Sequence, residues 1–388
     1  MRIAYVVEHF HRVSETFIRD LVDGLSREHT VHVFCANRIE EAPRGAQLSV
    51  VPFVPRRRRR RRDPLMRRLR RLSDDALWFH RRKAAVVNEL APALARYNPD
   101  VVLCEYGETG EVVFTATERL GLPLVVHVHG FDASQSLSNL RYRARVRELL
   151  AAGVHVIAPS THLCRVLMTL CGRGYVHPIP ASPDVRALMS RPTSEKTPDP
   201  SIVAVGRLTG KKCPVGVVET FARVRDEIPS AKMTLVGDGP KRDDVLTRAR
   251  ELALGTSFVL PGALEHEQVL GLMSESWVFA QHSVTSVTGD REGLPVAIME
   301  AMALGLPVVA TAHSGIPEAV ESGVTGLLAN EYDFDGMAKH VIALLRDEAL
   351  RSEMGTRGKA RARSRFNREL RVAEVTAVLE SAAGGSRR

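Results

Sequence analysis

Short apolar runs alternate with amphipathic segments along the chain, and the spacing predicts strands and helices in turn. RIAYVV (2–7), TVHVFCA (30–36), DVVLCEY (100–106), LVVHVH (124–129) and HVIAPS (155–160) read as strands buried on both faces. Between them, SETFIRDLVDGLSRE and ARVRELLAAG carry helical spacing. RPTSEKTPDP (191–200), with three prolines and no apolar residue, reads as a linker. The pattern then restarts with SIVAVG, KMTLVG, SFVLPG, WVFAQHS, PVVAT and TGLLAN. Such alternation predicts an α/β protein with doubly wound parallel sheets. The expected architecture is two Rossmann-like domains, 1–190 and 201–365, facing across a cleft and joined by 191–200. Residues 366–388 are expected to return to the first domain as a helix ending in a frayed tail.

Composition refines this picture without changing it. A chain of 388 residues is long enough for two cores, and 44% apolar with 5% aromatic residues suits an Ala/Val/Leu-rich globular protein. The net charge of +9 is uneven, since Arg56 to Arg62 alone supply seven positive charges. Three readings of that run stay open. It is a solvated loop, a contact for anionic lipid with Leu65, Met66, Leu69 and Leu72 as an apolar stripe, or a seat for a polyanionic acceptor. Nucleic acid is not an expected partner, because no recognition motif is present and aromatics are not interleaved with the basic residues. No run approaches a membrane span and MRIAYVVEHFHRV reads as a strand, so a cytoplasmic protein is expected, peripheral on the inner membrane face if the arginines bind lipid. Cys35, Cys104, Cys164, Cys171 and Cys213 form no CxxC and read as reduced thiols.

The chemistry concentrates in EGLPVAIMEAMALGLPVVAT (292–311). A helix is expected from Pro295 to Gly305, and within it Glu300 is the only polar residue. Its neighbours three and four positions away are Val296, Ala297, Ala303 and Leu304, so the helix is buried and the carboxylate needs a partner. That partner is either a structural group or a ligand diol, since one carboxylate accepts two hydroxyl donors. Glu292 lies in a loop after the strand WVFAQHS, at the sheet edge where open α/β folds bind ligands. Amides around Gly293, Leu294 and Val296 are placed to face an anion there.

The E-x7-E spacing, opened by EGLP and closed by EAMALGLPVVAT, resembles the donor-site signature of the retaining glycosyltransferases of family 4, which have the GT-B fold. GRLTGKK (206–212), LVGDGP (235–240), LPG (260–262), HSGIPEAV (313–320) and GVTGLLAN (323–330) follow in the family order. SETF and HGFD (129–132) resemble members that build exopolysaccharides or glycosylate small natural products. The resemblance implies that Arg207, after Gly206, and Lys212 neutralise a nucleotide diphosphate, and fixed cations stabilise a departing diphosphate more than its ground state. Lys211 is expected on a solvated face. Glu292 is implied to hold donor-sugar hydroxyls and Glu300 the ribose. Gly237, Gly239 and Gly262 are implied to admit the nucleotide, with simple tight turns as the other reading. Ser283 is implied near the phosphates. His129 matches the family's active-site histidine, with His127 two residues deeper on the same strand face. Asp132 either orients the acceptor or caps a helix. Ser14, Glu15 and Thr16 replace the glycine pair of many relatives, and PASPD (180–184) replaces an Asn-Gly-Val-Asp segment.

The resemblance implies hexose or N-acetylhexosamine transfer from a nucleotide diphosphate sugar, UDP by family frequency, with retention. The acceptor is a polysaccharide, a lipid-linked sugar or a small natural product. A GT-B epimerase or hydrolase, or a silent sugar-nucleotide binder, is the alternative. No cofactor or metal is expected: the one Asp-x-Asp triplet is Asp333-Phe334-Asp335, where Asp333 reads as a helix cap, and no His/Cys cluster has zinc spacing. No strand is followed by GxGxxG, which disfavours a dehydrogenase.

Overall fold

The computed structural model describes residues 1–10, 16–37, 45–54, 77–172, 174–192 and 194–385. Ser14, Glu15, the Arg56–Arg62 run and its apolar stripe lie outside these residues. The chain divides into two compact units. The first comprises Met1–Ala158, Cys164–Ile179 and Val372–Arg388, and the second Pro159–Leu163 and Pro180–Arg371.

The first unit is built on β1 (Arg2–Val7), β2 (Thr30–Cys35), β3 (Gln47–Val50), β4 (Val101–Glu105), β5 (Leu124–His127), β6 (His155–Ala158) and β7 (Val176–Pro178). They form a parallel sheet in the order β3-β2-β1-β4-β5-β6-β7. Every residue of β4 and β5 is buried, which explains their unbroken apolar runs. One core joins Ile3, Tyr5, Val33, Leu103 and Val125 to Ile18, Leu21 and Val22 of the helix Thr16–Leu25. Val375 and Leu379 of the helix Arg368–Gly385 complete that core. Gly24 makes the docking possible, because a Cβ there would collide with Val372.

The second unit carries β8 (Ser201–Val205), β9 (Lys232–Val236), β10 (Phe258–Gly262), β11 (Val278–Gln281), β12 (Val308–Thr311) and β13 (Gly326–Ala329). These form a parallel sheet in the order β10-β9-β8-β11-β12-β13. Val217, Phe221, Met337 and Val341 cover one face and Ile298, Met299 and Met302 the other. Residues 180–200 belong to this unit, where Asp184 caps the helix Val185–Met189 by accepting from the Ala187 amide at 3.0 Å. In each sheet the strand order reverses between the first strand and its later neighbour, at β1/β4 and at β8/β11. Such switch points leave room at the carboxyl ends of the strands, and both clusters described below lie there. No helix among the described residues is long and apolar enough to cross a membrane.

Candidate functional site

In the second unit the acidic loop and the cationic loop meet. β8 delivers Gly206 and Arg207, and the turn Gly210–Lys212 brings Lys212 back beneath them. Lys212 Nζ lies 2.9 Å from Glu292 Oε1, with both side chains largely buried. Ser283, just beyond β11, contacts the same carboxylate at 3.5 Å and accepts from Gln281 Nε2 at 2.9 Å. Burial pushes the Glu292 carboxyl up, but the Lys212 and Lys211 ammonium groups outweigh it and hold the pKa below the ordinary range. Glu292 is therefore an ionised, desolvated carboxylate. Arg207 is exposed, and its side chain forms no ion pair or hydrogen bond among the described residues. A shallow hollow is lined by Gly206, Arg207, Lys212, Gln281 and His282.

Lys211 corrects the sequence reading. It is buried rather than solvated, and its ammonium donates to Asp290 Oδ1 at 3.1 Å and the Arg291 carbonyl at 3.3 Å. It thereby ties the loop preceding Glu292 to the cationic turn.

The helix after that loop runs Val296–Ala303, with Pro295 as its N-cap rather than its first residue. Ile298 through Ala303 are all buried, as its apolar surface requires. Glu300 is 6% exposed and pairs with His266 Nε2 at 2.8 Å. That partner, the first residue of the helix His266–Glu275, was missed from sequence. The hydrogen bond that His266 donates to Glu300 raises the histidine pKa against the effect of burial. A raised histidine adds stability that is complete below its ordinary value and lost as pH rises through the folded one. A His266→Ala protein should therefore be less stable than wild type at pH 6 and converge with it by pH 9. The gap should stay below about 1 kcal/mol because the ring is half exposed. Urea unfolding at both pH values checks this, and a gap that widens with pH would refute it.

The glycines divide. A Cβ at Gly237 (φ +144°) would collide with the Gly206 carbonyl. One at Gly239 would press on the Leu208 backbone. The close crossing of the chain therefore calls for glycine at both positions. Gly262 (φ +90°) has open space beside it and is fixed by its backbone angle. Gly293 is buried, with its carbonyl lying against Gly315.

The first unit has its own cluster. His129 Nε2 lies 2.8 Å from Glu105 Oε2, and His127 Nδ1 lies 3.1 Å from Glu105 Oε1. The Tyr5 hydroxyl donates to the same carboxylate. Glu105 and His127 are fully buried and His129 is partly exposed. The His129 ring sits between Phe17 at 5.0 Å and Tyr106 at 4.7 Å, and Tyr106 takes φ +67°, a strained angle for a non-glycine residue. Glu105, His127 and His129 place ligand-type atoms within 4.8 Å of one another. Hydrogen bonds join both imidazoles to the carboxylate. Glu105 was read from sequence as one more residue of an apolar strand.

Asp132 is 2% exposed and accepts from the Gly107 amide at 2.7 Å and the His129 amide at 2.6 Å. Each oxygen accepts from a backbone amide, so Asp132 fixes the turn that carries His129. Thr16 opens the first helix. Asp333 accepts from the Gly336 amide at 2.8 Å and caps the helix Phe334–Arg346. A wider depression lined by Arg2, Ser26, Arg27 and Asp100 holds none of these residues.

Comparison with known proteins places this geometry. The family model described as Glycosyltransferase Family 4 matches residues 14–184, and Glycosyl transferases group 1 matches residues 185–361. WcaL of Escherichia coli K12, described as a colanic acid biosynthesis glycosyltransferase, is 28% identical over 291 residues, covering 74% of this chain and 71% of WcaL. The structure of sucrose-phosphate synthase from Thermosynechococcus elongatus superposes with a TM-score of 0.77 at 20% identity, covering 99% of each chain. Anabaena HepE in complex with UDP superposes with a TM-score of 0.72 at 17% identity, covering 98% of this chain and 100% of HepE.

Proposed function

We propose, on the premise that this chain belongs to the family 4 glycosyltransferases of GT-B fold, that it moves a hexose or N-acetylhexosamine from a UDP-sugar to an acceptor hydroxyl with retention and without a metal. The observation that carries the reading is the buried Lys212–Glu292 pair beside the exposed Arg207. The ammonium and the carboxylate neutralise each other. A donor gives each a better partner: its diphosphate takes Lys212 and Arg207, and its sugar hydroxyls take Glu292. Glu300, with one oxygen on His266, offers the other to the ribose.

In the transfer step the acceptor oxygen forms a bond to the anomeric carbon as the bond to the diphosphate oxygen breaks. The acceptor proton passes to a diphosphate oxygen on the same face, and the nucleoside diphosphate leaves. Charge grows on the diphosphate along this path, so fixed cations act where the barrier lies. His129, held by Glu105, is the further group assigned to this step. A polysaccharide or lipid-linked sugar is the favoured acceptor class, supported by the likeness to WcaL.

The test is a thermal-shift panel of UDP-, GDP-, ADP- and TDP-sugars. A ligand at a hundred times its dissociation constant adds about 2.7 kcal/mol of stability. UDP-sugars should give the largest shift and Glu300→Gln should lose it. Turnover should persist in excess chelator, and product NMR should show the donor's anomeric configuration. An inverted anomer refutes retention, and donor consumption that ignores every sugar acceptor makes the protein a hydrolase or epimerase.

A further inference from the structure

The Glu292 carboxylate can only meet a sugar if its backbone is held still, and its loop is otherwise irregular. Three consecutive residues after β12 grip it. The Glu292 amide donates to His313 Nε2 at 3.2 Å, and Ser314 Oγ donates to the Glu292 carbonyl at 2.6 Å. Gly315 leaves the space that the Gly293 carbonyl fills, where a Cβ would collide. Ser314 takes φ +49° to reach this position, an angle few side chains adopt.

The histidine is itself oriented. Since Nε2 accepts from an amide, Nδ1 carries the proton, and it lies 2.6 Å from Glu331 Oε1. The other Glu331 oxygen accepts the Thr285 amide at 2.9 Å. One carboxylate therefore fixes both ends of the loop: directly at Thr285, and through His313 at Glu292. His313 is 1% exposed, so its ring is shielded from water. The pieces come from the ends of β11, β12 and β13, which the sheet sets side by side.

We propose that His313, Ser314 and Glu331 are positioning residues for donor-sugar recognition: they clamp the backbone of Glu292 so that its carboxylate faces the sugar of the nucleotide donor. The inference rests on Glu292 as the sugar-contacting group. It adds to that reading a selectivity: losing the clamp should weaken the grip on the sugar and spare the grip on the nucleotide.

The experiment titrates UDP and UDP-glucose calorimetrically into wild type, His313→Asn, His313→Gln, Ser314→Ala and Glu292→Gln, with GDP and GDP-mannose as probes should the panel above select guanosine. Gln places an acceptor where Nε2 stood, and Asn does not reach it. His313→Asn and Ser314→Ala should lower the ratio of UDP-glucose to UDP affinity about tenfold, the scale of one hydrogen bond to a charged group's support. UDP affinity should stay within about twofold, and His313→Gln should recover most of the ratio. Equal loss of both ligands marks a merely structural role and overturns the clamp, as does an unchanged ratio in both variants. If Glu292→Gln lowers the ratio and the clamp variants do not, the clamp alone fails. If Glu292→Gln itself keeps the ratio, the sugar-contact reading falls and takes the clamp with it.

Discussion

Replacing Lys212 with methionine is expected to cut turnover about a thousandfold, the upper range for removing one preorganised charge aimed at a developing anion. The same substitution should lower stability by about 3 kcal/mol, because Glu292 is left buried without its ion-pair partner. For a unit of this size that is a fall in melting temperature of about 6–12 °C. Acidity should soften the loss. Without Lys212, burial pushes the Glu292 carboxyl up against weaker opposition, so the variant recovers part of its deficit as pH falls and that carboxyl protonates. Arg207→Ala gives the contrast. Its side chain is exposed and unpaired among the described residues, so stability should change by less than about 0.5 kcal/mol while turnover still falls about a hundredfold. Adding Glu292→Gln to Lys212→Met should restore stability without restoring turnover. Scanning calorimetry beside a donor-turnover assay reads all of these outcomes. A Lys212→Met enzyme within tenfold of wild type would end the assignment of this cation to the diphosphate.

What the sequence disclosed and what it hid follow one physical division. Features set by local periodicity were readable: the parallel strands, the buried helix holding Glu300, and the Asp333 cap. Lys212 and Glu292 were readable through a motif. Their direct contact was not, because eighty residues and three crossovers separate them. The same holds for His266 with Glu300 and Lys211 with Asp290, which lie 34 and 79 positions apart. In a parallel sheet the ends of neighbouring strands meet only after a helix has intervened, so no short spacing records these pairs. One of the missed residues was nonetheless within reach. A carboxylate buried in an apolar strand demands a partner as much as one in an apolar helix, so Glu105 in DVVLCEY carries the same signal as Glu300. At Gly237 the chain crossing by itself calls for glycine, a contact between separate segments that no local spacing records.

Glu105 gives the second large effect. Its carboxylate takes hydrogen bonds from Tyr5, His127 and His129 with no exposure to water. Glu105→Ala should cost about 3–5 kcal/mol, the range for breaking a buried charged network at one member. Glu105→Gln keeps the shape but presents an amide donor where one imidazole donates, so that ring must turn or change tautomer. Its cost should be smaller, and turnover measured well below its melting temperature should fall at least about tenfold, since His129 loses its orienting acceptor. Burial works to raise the Glu105 carboxyl, but the two imidazoles outweigh it and hold the pKa below the ordinary carboxylate range. A depressed carboxylate contributes stability that is complete above its unfolded value and is lost as pH falls toward the folded one. The gap between wild type and Glu105→Gln should therefore be full at pH 6 and shrink progressively below about pH 4.3. Urea unfolding at pH 6 and pH 3 measures it. A gap that does not close in acid would mean that Glu105 is not an ionised acceptor. Unchanged turnover in Glu105→Gln would mean that His129 does not depend on it.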